Sequence, residues 1–336
     1  MPELLLHQIG PNASLQDLGR EGYLRFGLSR GGAMDHLALL EAAALLGQGL
    51  DIAAIELPSA PVTLSVDAPQ RVALTGAPML AEAGGRSLQW GASHLLEAGE
   101  ALSLRPTGRG LYGYIAFGGG VETDLTLGRR STHFTGGLGR ALAAGDVLPL
   151  GSDSKLSAPP RKLAADNRFD GGRIRFVTGP QTELYSAETR AAFGAARFVK
   201  SSHANRQAAK LDHQGAPFAA DGQLGVVSEV IVPGDIQMTG AGEPFVLLAE
   251  HQTMGGYPRI GAVIGQDIAR VAQASVGVEL WFEQISLEEA DRLYTPENEL
   301  LRRIRDASEP LLRDPREMNG LLGYQLISGM ITGQED

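Results

Sequence analysis

The chain of 336 residues contains no cysteine. That excludes disulfides, thiolate zinc sites and a cysteine nucleophile, and it fits a reducing compartment. Lysine occurs only at Lys155, Lys162, Lys200 and Lys210, so nearly all positive charge is arginine. Aromatic residues make up 6% of the chain, and no window approaches the roughly 20 apolar residues of a membrane span. The N-terminal MPELLLHQIGP lacks the basic and long apolar regions of a signal peptide, so a cytoplasmic location is expected. There is no GxxxxGK[ST] loop and no GxGxxG opening a helix after a strand. The histidines show no HxxxH or HExxH spacing, so no metal site is expected. A formal net charge of −10 argues against nucleic acid or an anionic membrane as partner.

What the chain has in excess is glycine, 44 residues, which suits the tight turns of a β-rich fold. Strands are expected at Leu4–Leu6, Pro61–Leu64, Arg71–Leu74, Ala101–Leu104 and Leu111–Phe117. A helix is expected over 35–46, with Asp35 as its cap and Gly47 ending it. Residues 151–170 are polar, carry proline and lack periodicity, which marks a linker. The second half repeats this pattern, with strand 173–178, helix 182–193, strand 196–201, then several strands, a helix near 267–274 and a strand 278–285. Helices at 287–294 and 298–307 flank Pro296, and an apolar run follows at 321–333, expected to dock on the body of the protein or on a partner. The domain expectation is therefore 1–155, a linker at 156–170, a second unit at 171–286, and a tail at 287–336.

The densest group of chemistry-bearing residues lies between Val227 and Gln273. A strand (Phe245 to Ala249) leads into Glu250, His251, Gln252 and Thr253, then Gly255-Gly256 and Tyr257-Pro258-Arg259. Glycine lets backbone N–H groups approach an oxyanion, while amide, hydroxyl and phenol groups orient a small polar ligand. The plain structural alternative is a hairpin turn needing positive φ. Gln237 and Glu229 bracket a turn at Pro233-Gly234; Gln237 is the better candidate to face a pocket. Arg206 can hold a carboxylate or phosphate bidentately, beside Asn205, unless it forms an ordinary salt bridge. Asp17 and Arg20 either bind ligand or pair with each other. Glu56 is a general base only if buried.

QTMGGYPRI after VPGDIQM resembles the QTTGGYP segment of the KipA-like C component of bacterial 5-oxoprolinase. That family is related to allophanate hydrolase subunit 2 and to the carboxyltransferase part of urea carboxylase. QDLGR at 16–20 with GGAMD at 31–35, FGGG at 117–120, LGRRST at 127–132, GDVLPLG at 145–151, GPQ at 179–181 and Asn205-Arg206 agree in order. The resemblance covers about residues 3–290, and departs from the family at Met254, at Ala204 and over 207–210. It implies two tandem cyclophilin-like β-barrel domains in a mainly β (α+β) chain with a helical C-terminal tail. It further implies the C component of an ATP-dependent 5-oxoprolinase, a hydrolase that opens a lactam to glutamate. The implied partners are a KipI-like B component, with which Mg-ATP is shared, and a LamB/YcsF-like A component. Catalytic roles then fall to Arg206, Gln252 and Tyr257, and substrate contacts to Asn205, Gln237, Thr253, Gly255, Gly256, Asp17 and Arg20. Two alternatives share the motifs. One is biotin-dependent carboxyl transfer to urea or a related amide, with biotin on another chain. The other is a non-enzymatic antagonist of a histidine-kinase inhibitor.

Overall fold

The protein is described by a computed structural model covering residues 1–220 and 226–312. The apolar run at 321–333 lies outside the described residues. The first half contributes strands β1 (Glu3–Gln8), β2 (Ser14–Gln16), β3 (Ala54–Pro58), β4 (Val62–Val66), β5 (Gln70–Gly76), β6 (Met79–Ala83), β7 (Arg86–Leu88), β8 (Ala92–Leu96), β9 (Ala101–Pro106), β10 (Tyr112–Phe117) and β11 (Val147–Pro149). Next come β12 (Arg161–Lys162), β13 (Gly172–Val177), β14 (Phe198–Lys200), β15 (Ala208–His213), β16 (Glu229–Val230), β17 (Asp235–Met238), β18 (Pro244–Leu247), β19 (Met254–Gly255), β20 (Arg259–Val263), β21 (Glu279–Gln284) and β22 (Glu309–Pro310). Helices are α1 (His36–Leu46), α2 (Ala187–Ala195), α3 (Gly265–Gln273), α4 (Leu287–Leu293) and α5 (Glu297–Ala307). The chain is thus mainly β with a few helices, as expected.

In the first half two sheets, β11-β1-β4-β9-β6-β7 and β2-β3-β10-β5-β8-β12-β22, enclose an aliphatic core. Strand β4 shows why: Val62, Leu64 and Val66 alternate inward, as a pleated strand with one wet face requires. Helix α1 covers the second sheet. Asp35 Oδ1 accepts from the Ala38 N–H at 3.2 Å and Gly47 closes the helix at φ 65°, both as expected.

The second half closes a barrel, β13-β20-β17-β18-β15-β14-β21, in which β13 and β21 run parallel and the other pairs antiparallel. Its interior is aromatic: Phe176, Phe193, Phe198, Phe218 and Phe282 contact one another edge-on or tilted. The helix expected over 182–193 is broken. A single 3₁₀ turn, Thr182–Leu184, ends at Tyr185, whose extended backbone (φ −104°, ψ 131°) carries a buried ring with its hydroxyl donating to Pro258 O at 2.9 Å. Ser186 then restarts the chain as the cap of α2.

The segment between the halves makes contacts of its own. β12 joins the second sheet, and Arg168 is buried, donating to Asp35 and, bidentately, to Glu41. Leu300, Leu301 and Ile304 of α5 pack onto α1 and its neighbours. No helix among the described residues is long and apolar enough to cross a membrane.

Candidate functional site

A cleft of about 550 Å³ opens on the wall of the barrel, between β17, β18, the start of β15 and the short ribbon β16–β19. Asn205, Gln237, Gln252, Gly255, Gly256 and Tyr257 line it. So do His203, Gln207, Ser228, Phe245 and Met254, which sequence reasoning left out of the site. Gln207 carried a signal, since it follows Asn205-Arg206 directly. Phe245 had none: as a strand residue it reads as core.

Backbone irregularity aims Gln237. The register between β17 and β20 shifts between Ile236 and Gln237, and such a bulge redirects the side chain that follows it. Gln237 is buried at 8% exposure, and its Nε2 has no hydrogen-bond partner among the described residues. An orphaned buried donor costs about 1–3 kcal/mol, so a retained one is a candidate for a ligand contact. Gly255 makes the room. A Cβ there would lie 2.5 Å from Gln237 Nε2 and 3.1 Å from Ile231 side-chain atoms. Neither Gly255 nor Gly256 has positive φ. The pair is therefore not the tight hairpin turn weighed above; Gly255 sits in β19, paired with Glu229 of β16, and its value is clearance.

Asn205 shapes its own loop: its Oδ1 accepts the N–H groups of Gln207 and Ala208 at 2.8 and 3.1 Å. Thr253 is not among the lining residues; its carbonyl accepts from Ile231 N–H at 3.3 Å.

Three expected ligand-binding residues are used elsewhere. Arg206 does not reach the cleft. Its guanidinium is buried between Glu56, Glu250 (2.5 Å) and the Gly32 carbonyl (2.5 Å). Burial opposes its charge, but the two carboxylates more than offset this and raise its pKa. Glu56 is fully buried, and burial pushes its carboxyl up against the pull of Arg206 and the Tyr114 hydroxyl. Burial also opposes charge on Glu250, yet Arg206 and the Thr135 N–H bring it below the usual carboxylate range. Each of the three guanidinium nitrogens has a protein acceptor, and Arg206 bolts the halves together. Asp17 accepts from the N–H groups of Gly19, Arg130 and Ser131, and Arg20 donates to Thr126 O, Ser131 Oγ and Ser131 O. Both knit first-half loops, and neither lines the cleft.

Ser29, His133 and Glu250 stand in the order of a nucleophile, a base and an acid, with Ser29 Oγ 3.0 Å from His133 Nε2 and Glu250 3.7 Å from Nδ1. The chemistry fails on protonation. Nδ1 accepts the Gly136 N–H at 2.9 Å, so the ring proton is on Nε2 and is donated to Ser29. All three side chains are buried. This cluster is structural.

Among the described residues no group of three or more His, Asp or Glu side chains is gathered for a metal. A second depression, of about 840 Å³, lies over the outer face of the first sheet beside Glu82, Glu100 and Arg105, and contains none of the candidate residues.

The family model for the carboxyltransferase domain, subdomains A and B, matches residues 26–284. The chain belongs to that family. Within the family it is 32% identical over 291 residues to the C component of 5-oxoprolinase from Escherichia coli (strain K12), covering 85% of this chain and 93% of that protein. It is 24% identical to urea amidolyase of Saccharomyces cerevisiae (strain ATCC 204508 / S288c), covering 84% of this chain but only 17% of that larger protein. The crystal structure of the K. lactis urea amidolyase shares the fold, with a TM-score of 0.81 at 23% identity over 90% of this chain and 20% of that one. Family members thus include both one component of a multi-chain enzyme and a portion of a larger chain.

Proposed function

We propose that this chain is the C component of an ATP-dependent 5-oxoprolinase and that its cleft holds the lactam. The observation that carries this reading is the buried, unpartnered amide nitrogen of Gln237 on a cleft beside a glycine pair. An unstrained lactam is a poor electrophile. Phosphorylation of its amide oxygen makes the ring carbon attackable, and holding the lactam in one orientation is the contribution this chain's groups suit. Gln237 donates to the lactam oxygen, and Gln252 and Tyr257 fix the ring. Gly255 keeps the approach open. Identity over nearly the whole length of a protein of that name supports the reading.

ATP does not suit this cleft. None of its described lining residues is lysine or arginine, so a triphosphate would meet no opposite charge. We assign ATP to a KipI-like B component, and the completion of ring opening to a LamB/YcsF-like A component, in a cytoplasmic complex. The test is glutamate formation from 5-oxoproline by the reconstituted complex. Turnover should need ATP and all three components, and Gln237→Leu should lower it at least about tenfold. Unchanged turnover in that variant removes the cleft from the reaction.

A second reading is carboxyl transfer from biotin on another chain to a urea-like amide, favoured by the family model and the urea amidolyase relative. It too needs an amide held in place. Avidin separates the two, blocking the transfer and sparing the lactam hydrolase.

A further inference from the structure

Positive charge around the cleft is more than cancelled. Two arginines stand behind its walls. Arg206, between the lining residues Asn205 and Gln207, is held by the carboxylates of Glu56 and Glu250. Arg259, in register with Gln237 across β17 and β20, is held by Glu229 and Asp235, at 2.5 and 3.1 Å. Each arginine therefore sets one positive charge against two negative ones.

No lysine, arginine, aspartate or glutamate is among the described lining residues. The space is faced by four carboxamides: Asn205, Gln207, Gln237 and Gln252. Two are partly engaged. Asn205 Oδ1 holds its own loop, and Gln207 Nε2 donates to Thr135 Oγ1 at 3.0 Å. Their other ends, the Asn205 amide nitrogen and the Gln207 carbonyl, remain for a ligand, together with the orphaned nitrogen of Gln237.

A carboxamide presents donors and an acceptor in one plane, which is the complement of another amide. A carboxylate drawn into the same space would lose its water and meet no lysine or arginine. We infer that the cleft recognises the uncharged N–C=O edge of its ligand, of lactam, imide or urea type, and disfavours an anionic substituent. The inference deepens the proposed function and rests on it only for the lactam ring. It means that the carboxylate of 5-oxoproline finds no lysine or arginine as counter-charge in this chain's cleft.

The test is isothermal titration of the full chain with 2-pyrrolidinone, which is the lactam without the carboxylate, with 5-oxoproline, and with urea. The expected result is 2-pyrrolidinone binding roughly tenfold or more tightly than 5-oxoproline. Gln237→Leu should abolish binding of both. Met254→Arg, which places a cation at the half-exposed rim, should raise the affinity for 5-oxoproline and leave that for 2-pyrrolidinone unchanged. Equal or tighter binding of 5-oxoproline to the unmodified chain overturns the inference and leaves the lactam reading standing. Binding of urea without either lactam supports the inference and overturns the lactam reading. No binding of any of the three at millimolar concentration overturns the inference.

Discussion

The junction between the halves and the cleft on the barrel are both built from polar side chains, but only one of them is satisfied. At the junction Arg206 meets Glu56, Glu250 and the Gly32 carbonyl, and Glu56 also accepts from Tyr114 and the Met34 N–H. Asp35 takes bonds from Arg168 and Gln273 nearby. In the cleft, Gln237 keeps a buried nitrogen with no partner among the described residues. A closed network positions the chain; an open one has bonding capacity left for a ligand. Residue type makes Arg206 a candidate ligand-binding group, and its surroundings commit it to the fold.

The sharpest way to break the comparison is to open the closed network. Arg206→Met leaves two carboxylates buried without their cation and should cost about 3–5 kcal/mol of stability in denaturant unfolding. A loss under 1 kcal/mol would mean that the bolt is weak.

Acid should strain the junction side next. Burial first, and Arg30 second, push His36 down to about 4. Its folded value lies below its unfolded one, so the unfolded chain binds the proton first as pH falls. Stability is therefore full above about pH 6.5 and declines through the window down to about pH 4, by up to about 3 kcal/mol from this residue. His36→Asn should flatten that part of the stability–pH curve, whereas an unchanged slope would assign the loss to other groups.

Smaller effects belong to the cleft. Gly255→Ala pushes a methyl toward Gln237 and Ile231; we expect about 1–3 kcal/mol of destabilisation, read as a lower melting temperature, and weaker ligand binding. Gln252 is exposed, so Gln252→Ala should change stability by less than about 0.5 kcal/mol while weakening ligand affinity in calorimetry.

Much of the fold was legible because its signals are local. Asp35 and Gly47 sit at the two ends of α1, and alternation marks β4. The break at Tyr185 was not legible, because the pull on its ring comes from the barrel core and from Pro258. The glycine pair was found by sequence, but one reason for it was not legible: what demands a missing side chain at 255 is a glutamine 18 positions earlier. Arg206 shows the same limit. Its partners lie at positions 32, 56 and 250, and nothing in the spacing of those residues announces that they converge.

The most direct measurement pairs the unfolding free energy of Gln237→Leu with its affinity for the lactam. Removing an unsatisfied donor should leave stability unchanged or raise it by up to about 1 kcal/mol, with binding lost. A variant that loses 2 kcal/mol or more and still binds would show that Gln237 serves the fold, and that the open network is no binding site.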